Sequence, residues 1–178
     1  MTVARIALIL LLVVVCVQMA YFYPKIVQTV AAAQAVPSPR GGMLASHFNA
    51  AGEPNGQQTI SQFFTTYITI IVLEVVLFFG APAALRYVPS EFINLPNRDY
   101  WLAPERREQT LADLNTRFNW LGVATVSLVL VVMQWVLTAN LSGDPHLPGF
   151  AVWIPLGAYL AFSIWWIGRL AAAFRRPE

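Results

Sequence analysis

Four long apolar runs alternate with polar stretches along the chain. They cover residues 6–23, 63–85, 118–138 and 150–168. An α-helix rises about 1.5 Å per residue, so roughly 20 apolar residues are needed to cross about 30 Å of hydrocarbon. The pattern therefore predicts an all-α membrane protein, with four transmembrane helices in a single domain over residues 1–178.

Arginine and lysine are unevenly distributed among the stretches that separate the runs. Nine of the eleven lie before the first run, between the second and third, or after the fourth. Loops on the cytoplasmic side of membrane proteins are enriched in these residues. We therefore expect both termini and the loop 86–117 in the cytoplasm. The loop 24–62 is then expected outside.

The composition supports a membrane location and excludes several function classes. The chain is 57% hydrophobic and 11% charged, whereas soluble domains are about 25% charged. The net charge of +2 and the lack of a lysine-rich patch argue against a nucleic-acid partner. Cys16 is the single cysteine, which excludes an internal disulfide. The first run is longer than the apolar core of a signal peptide, about 7–15 residues, so we expect an uncleaved anchor, with a signal peptide as the alternative.

The loop 24–62 contains a strong turn signal at residues 53–56, which read Glu-Pro-Asn-Gly. Proline presets its own φ angle, and asparagine and glycine tolerate positive φ. We expect a short extended stretch, a turn, and then entry into the second helix. Ser61 is the expected N-cap of that helix.

The ten residues 47–56, His-Phe-Asn-Ala-Ala-Gly-Glu-Pro-Asn-Gly, resemble the signature of the DUF1648 group of bacterial membrane proteins, which includes SdpI-like immunity and signalling proteins. Residues 94–101 and 103–107 resemble a second block of that group, and Gln57 stands where the group usually has tryptophan. The resemblance implies an immunity or signalling role and a multi-pass location in the cytoplasmic (inner) membrane of a bacterium. It marks as candidate interaction residues His47, Phe48, Asn49, Gly52, Pro54, Gly56, Arg98, Trp101, Arg106 and Arg107.

His47 and Glu53 have side chains that bind metals or sense protons. A structural metal site usually has three or four ligands at set spacings, and this loop offers fewer. We therefore favour the interpretation that His47, Asn49 and the turn hydrogen-bond the backbone of the loop itself. No metal and no cofactor is predicted.

The loop 86–117 is the most polar part of the chain. Pro104 follows Ala103 and precedes Glu105, an order typical of a helix start. Leu111, Leu114 and Phe118 would form one apolar stripe on that helix. Asp113 and Arg117 form an i, i+4 pair. The sequence leaves two functions open for this segment, a docking surface for a partner or an amphipathic helix in the membrane interface.

Glu74 lies near the middle of the second apolar run. A charged residue at that depth costs about 2.5–3.5 kcal/mol on insertion scales and is a functional candidate by default. We expect Glu74 to face other helices, with Gln18, Ser127 and Tyr159 as possible partners and Arg169 as a poorer one. Proton or ion handling is one interpretation. The favoured one is a protonated carboxyl that hydrogen-bonds two helices together.

No glycine-rich phosphate loop, metalloprotease motif or nucleophile elbow occurs in the chain. We therefore expect a non-catalytic accessory or structural subunit of a larger membrane complex, respiratory or photosynthetic, with membrane lipids and other integral membrane proteins as partners. The alternatives are an SdpI-like immunity or signalling protein and a small proton-linked transporter using Glu74.

Overall fold

Long helices make up most of the computed structural model, which describes residues 2–34, 42–142 and 145–175. Helix is assigned to 76% of the residues. The four long helices, named α1 to α4, each are long and apolar enough to cross a membrane. They are α1 (Val3–Gln34), α2 (Ile60–Tyr87), α3 (Arg107–Leu141) and α4 (Phe150–Ala173). The prediction of a mainly helical protein with four long apolar helices is confirmed.

The prediction that only helices occur is incomplete, because a β-hairpin lies between α1 and α2. Its strands are β1 (Leu44–Phe48) and β2 (Pro54–Gln58), which pair in antiparallel. The turn falls at residues 49–53, so the prediction of a turn at residues 53–56 was wrong in position: Pro54, Asn55 and Gly56 lie in β2. The register between the strands is irregular in two places, between Ala45 and His47 and between His47 and Phe48.

Helix α1 is longer than the apolar run predicts. The loop was expected from residue 24, yet the helix continues through Pro24 to Gln34. Proline inside a helix removes one hydrogen bond. Here Phe22, Ile26 and Val30, spaced one turn apart on either side of the proline, are all buried against the rest of the protein. Their burial holds the helix together past Pro24.

Helix α2 begins at Ile60, and its N-cap lies two residues before the predicted one. Thr59 is the observed cap: its Oγ1 accepts a hydrogen bond from the Gln62 N–H at 3.3 Å, and Gln62 Oε1 accepts from the Thr59 N–H at 3.1 Å. This reciprocal pair satisfies two N–H groups at the helix start. Ser61 therefore lies inside the helix, and its prediction as the cap was wrong.

Helix α3 contacts all three other long helices. The helices α1, α2 and α3 enclose two apolar clusters, one nearer the hairpin around Ile26 and Leu137, and one around Tyr67 and Val126. Helix α4 packs along α3 on the outside of this three-helix bundle. In the most apolar 18-residue stretch of α4, 11% of the residues are buried, whereas 22% are buried in the corresponding stretch of each other long helix.

The connection between α2 and α3 folds over the end of the molecule opposite the hairpin. It contains two single turns of helix, Ser90–Phe92 and Arg98–Trp101. A third apolar cluster forms here from Ile93, Leu102, Leu111, Leu114 and Phe174, the last from the end of α4. The stripe predicted at the start of α3 is therefore covered by the protein's own connection. We call this end the arginine end, because Arg5, Arg86 and Arg107 line one cavity there.

Candidate functional site

The sequence motif at residues 47–56 builds the hairpin turn. Asn49 Oδ1 accepts hydrogen bonds from the backbone N–H groups of Ala51 at 3.0 Å and Glu53 at 2.9 Å. The Asn49 Nδ2 also donates to the Glu53 carboxylate at 2.9 Å. Asparagine commonly fixes turns by bonding nearby backbone. The described contacts of Asn49 and Glu53 therefore serve the turn itself, as the sequence predicts.

His47 packs across the hairpin on a residue that has no side chain. A Cβ atom built on Gly56 would lie 2.8 Å from His47 Nδ1, so only glycine fits opposite this ring. The same Nδ1 lies 3.1 Å from Ser46 Oγ. In residues 2–34, 42–142 and 145–175, no group of three or more His, Cys, Asp or Glu side chains is placed to hold a metal ion. The hairpin therefore has the geometry of a structural element.

Gly52 joins the hairpin turn to the connection between α3 and α4. Its φ angle of +83° lies in the left-handed region that favours glycine, and an added Cβ would lie 1.9 Å from the Leu147 carbonyl oxygen. The Leu147 N–H donates to the Gly52 carbonyl at 2.9 Å. Beside this contact is a cavity of about 230 Å³, with Phe48 and Asn49 on one wall and Trp153 on another. Phe48 pairs with Pro54 across the strands.

A chain of polar side chains joins α1, α2 and α3 inside the bundle. The Tyr67 hydroxyl donates to Gln18 Oε1 at 2.6 Å. Gln18 Nε2 in turn donates to Gln134 Oε1 at 2.9 Å and to the Leu130 carbonyl at 3.3 Å. Hydrogen bonds between helices contribute to association inside a membrane. Gln18 therefore holds the three helices together.

Glu74 faces the interior of the bundle, as expected, but does not pair with the predicted partners. Its side chain is 8% exposed, and its Oε2 has no hydrogen-bond partner within the described part of the chain. Gln18 bonds to Tyr67 instead. Ser127 Oγ donates to the carbonyl of Val123, within its own helix, and the Tyr159 hydroxyl meets Thr125 Oγ1 at 3.1 Å. The prediction that Glu74 pairs with one of these residues was wrong.

A π-helical segment, Val76–Gly80, follows Glu74 in α2. Such a segment disrupts the regular pattern of backbone hydrogen bonds and is frequent at functional sites. Asn119 of α3 is fully buried beside it, and its amide nitrogen, oriented to donate, lies 3.0 Å from the carbonyls of Phe78 and Asn115. Gly122, one turn further along α3, allows this close approach, because an added Cβ would lie 2.5 Å from Phe78 Cβ.

Asn140 connects α3 to the hairpin. Its Oδ1 accepts from the Ala45 N–H at 2.8 Å, and its Nδ2 donates to the Ala45 carbonyl at 2.9 Å. A side-chain amide therefore pairs with β1 in the manner of a neighbouring strand. The contact is buried, so the hairpin is fixed both to the end of α3 and, through Gly52, to the following connection.

At the arginine end, Arg107 closes the end of α2. Its guanidinium donates to the carbonyls of Val88 at 2.7 Å and Arg86 at 3.4 Å and to Ser90 Oγ at 3.2 Å. The last carbonyls of a helix have no partner within the helix and carry partial negative charge. Arg107 therefore stabilises the end of α2.

Helix α3 begins at Arg107 and not, as the sequence predicts, at Pro104. The Ala103 carbonyl accepts hydrogen bonds from the N–H groups of both Arg106 and Arg107, which forms a separate turn before the helix.

The Trp101 side chain also contacts another part of the protein itself. Its indole N–H donates to the Phe174 carbonyl at 3.1 Å, and the two rings pack edge to face. Arg106 stacks 4.0 Å from the centre of the Tyr100 ring and donates to the Tyr100 carbonyl. Arg98 is exposed and bonds Asp99 and the Glu91 carbonyl. Of the four candidates in this block, Arg98 is therefore the one whose side chain lies mainly at the surface.

Compared with known proteins, the chain matches no family model, no curated protein and no solved structure. The site residues therefore have to be judged by their own geometry.

Several structural residues were not singled out by the sequence. Tyr67, Asn119, Asn140 and Gly122 lie within apolar helices and have no local motif. A polar residue inside an apolar run was the available signal for the first three, as it was for Glu74. Which helix each one faces depends on packing, which a single sequence does not encode locally. Gly122 had no signal beyond being a glycine within a helix.

Proposed function

We propose that this protein is a non-catalytic multi-pass membrane protein that acts as an accessory or structural subunit of a larger membrane complex. The observation that carries the proposal is the position of α4. This helix packs along α3 and leaves its other side uncovered, with seven large apolar side chains more than half exposed: Phe150, Trp153, Ile154, Leu160, Ile164, Trp165 and Ile167. Tryptophan is enriched where proteins bind one another.

Small residues also lie on the uncovered side of α4. Apart from the adjacent residues and nearby backbone of α4 itself, no described atom lies within 4 Å of the Cβ position of Gly157 or Gly168, and Ala161 is exposed. The spacing of 157, 161 and 168 puts all three on one face. Small residues at such spacing allow the backbone of another membrane helix to approach closely.

Gentle solubilisation of native membranes, followed by native electrophoresis of the tagged protein, tests the proposal. We expect migration with a large complex. Ala161→Phe should release the protein from it by blocking the face, whereas Ala20→Phe, an equal enlargement at an exposed position of α1, should not. Migration as a free monomer from native membranes would refute the subunit role. Retention of the Ala161→Phe protein in the complex would refute the choice of face.

We also propose that both termini are cytoplasmic. The arginine end carries Arg5, Arg86 and Arg107 around one cavity, whereas Lys25 is the basic residue of the described chain at the other end. Positive residues favour the cytoplasm. In a Cys16→Ser background, a cysteine at Asn55 should react with an impermeant thiol reagent in intact cells, and one at Glu105 should react after lysis. The reverse result would invert the orientation.

A second candidate function is binding of an extracytoplasmic peptide by the hairpin, as the SdpI-like resemblance implies. The rigid turn and the adjacent cavity of about 230 Å³ favour it. Cells that make the protein should survive peptides secreted by the native host better than cells that lack it. Phe48→Ala, which removes one wall of the cavity, should abolish that protection if the hairpin is the binding site.

A third candidate, proton-linked transport, is favoured by Glu74, whose buried Oε2 has no hydrogen-bond partner among the described residues. Proton flux into vesicles that requires both a solute and Glu74, and is lost in Glu74→Gln, would support it. Absence of flux in the unaltered protein would dismiss it.

A further inference from the structure

A second cavity at the arginine end lies between α3 and α4. Its volume is about 380 Å³, and two arginines and four aromatic residues line it: Arg117, Trp120, Phe162, Trp165, Trp166 and Arg169. None of these residues takes part in the hairpin or in the polar chain of the bundle. The hairpin and the polar chain therefore do not account for this cavity.

The back wall of the cavity is fixed by the packing of α4 on α3. Trp166 is buried, its indole N–H donates to the Arg117 carbonyl at 3.0 Å, and its ring meets Phe118 edge to face. The side walls are open to the surroundings, since Trp120 is 42% and Trp165 59% exposed. The cavity thus has a rigid floor and aromatic sides that face outwards from the helices.

The positive charge of Arg117 and Arg169 is only partly neutralised by residues of the described chain. Arg117 Nε bonds the Asp113 carboxylate at 2.7 Å, and its two terminal nitrogens have no hydrogen bond to residues of the described chain. Arg169 is exposed and has no ion pair or hydrogen bond within residues 2–34, 42–142 and 145–175. Two guanidinium groups therefore line one cavity, and Asp113, the carboxylate that bonds one of them, is not part of its lining.

The depth of these groups identifies the kind of anion. Arg117 directly precedes the apolar run of α3, and Arg169 directly follows that of α4. Both guanidinium groups accordingly stand at the level of the lipid headgroups, with the aromatic rings next to the upper acyl chains. A guanidinium binds phosphate with two parallel hydrogen bonds. We propose that this cavity binds an anionic phospholipid, with its phosphate on Arg117 and Arg169 and its acyl chains against Trp120 and Trp165.

The proposal is tested by native mass spectrometry of the delipidated, purified full chain. The probes are phosphatidylglycerol and phosphatidylcholine with identical acyl chains. We expect at least about five-fold stronger retention of phosphatidylglycerol, the effect of about one arginine near an anionic headgroup. The preference should disappear in the double variant Arg117→Gln with Arg169→Gln. It should persist in Arg175→Gln, which removes one charge just beyond the end of the same helix.

Three outcomes would overturn the proposal. An equal loss of preference in Arg175→Gln would mean diffuse charge attraction without a site. Equal retention of both lipids by the unaltered protein would mean an unselective lipid shell. Displacement of phosphatidylglycerol by millimolar inorganic phosphate would mean a site for a free anion.

A second measurement covers the case in which Arg117→Gln does not fold. Arg169 is exposed, so Arg169→Gln alone should fold normally and lose most of the preference for phosphatidylglycerol.

Phosphatidylglycerol that is brominated on its upper acyl carbons should quench the tryptophan fluorescence of the protein. This quenching should fall in the double variant Trp120→Phe with Trp165→Phe. Unchanged quenching in that variant would also refute the site.

Discussion

At the scale of single residues, the buried polar side chains of this protein fall into two groups. The first group is buried and bonds groups on other elements: Gln18, Thr110, Asn119 and Asn140. Glu74 is equally buried, but its Oε2 has no partner among the described residues. A buried polar group without a partner costs stability. The contacts within the bundle therefore do not explain why a carboxyl group is present at Glu74.

Replacement of Glu74 by leucine should stabilise the protein. The change removes an unpaired polar group and leaves the hydrogen bonds of Gln18 intact. We expect the free energy of unfolding in detergent to rise by about 1–3 kcal/mol, measured by denaturation with increasing dodecyl sulfate.

The matched control for Glu74→Leu is Gln18→Leu, which breaks bonds to Tyr67 and Gln134 and should destabilise the protein. If Glu74→Leu instead unfolds the protein while Glu74→Gln does not, the carboxyl bonds another helix after all.

Gly122 should tolerate no side chain. An added Cβ would lie 2.5 Å from Phe78 Cβ and 2.7 Å from the Phe79 ring, so α3 would have to move away from the π-helical segment. Overpacking of this kind typically costs about 1–3 kcal/mol. We expect Gly122→Ala to lower the unfolding free energy by that amount in the same assay. Gly157→Ala, at an open position on α4, should change it by less than about 0.5 kcal/mol.

At the scale of elements, the hairpin is held at both of its ends. Asn140 bonds β1, and the Leu147 N–H bonds the turn through Gly52. The capping pair of Thr59 and Gln62 then starts α2 directly after β2. The hairpin thus links the start of α2 to the end of α3 on its side of the molecule.

Gly52→Ala should detach the turn from the connection between α3 and α4. Alanine is strained at a φ of +83°, and its Cβ would overlap the Leu147 carbonyl. We expect the Leu147 amide to exchange its hydrogen at least about ten-fold faster, measured by hydrogen–deuterium exchange. Gly149→Ala, a few residues away and free of contacts within 4 Å in the described structure, should leave that exchange rate unchanged.

The sequence predicted the elements that depend on local pattern. Four apolar runs predicted four long helices, and Asp113 and Arg117 form the ion pair that their spacing predicts. The continuation of α1 past Pro24 was missed because its cause is burial of Ile26 and Val30 against distant residues. The partners of Gln18 were missed for the same reason, since they come from α2 and α3.

At the scale of the whole molecule, α3 organises the fold. Helices α1 and α2 pack against one side of it and α4 against another. Several contacts attach α4: Trp166 bonds the Arg117 carbonyl, Tyr159 meets Thr125, Phe150 packs on Trp135, and Phe174 lies in the third apolar cluster. The three-helix bundle and α4 should therefore respond separately to substitution.

Trp166→Ala should loosen α4 from α3 without unfolding the bundle. We expect a short bifunctional thiol reagent to cross-link cysteines at Thr125 and Tyr159 in a Cys16→Ser background, and the yield to fall several-fold when Trp166 is replaced. Trp165→Ala is the control, because this neighbouring tryptophan is 59% exposed. A yield that falls equally in both variants would mean that Trp166 is not the anchor.

The central place of α3 has a consequence for biosynthesis. The chain is made from its N-terminus, so α1 and α2 enter the bilayer before the helix that supplies their main contacts exists. Until then the Gln18 Nε2 lacks its two acceptors, the Leu130 carbonyl and the Gln134 side chain, and the bond from the Tyr67 hydroxyl to Gln18 Oε1 is the one that can form. We expect the first two helices to wait beside the insertion machinery, and assembly to become fast only once residue 141 has left the ribosome.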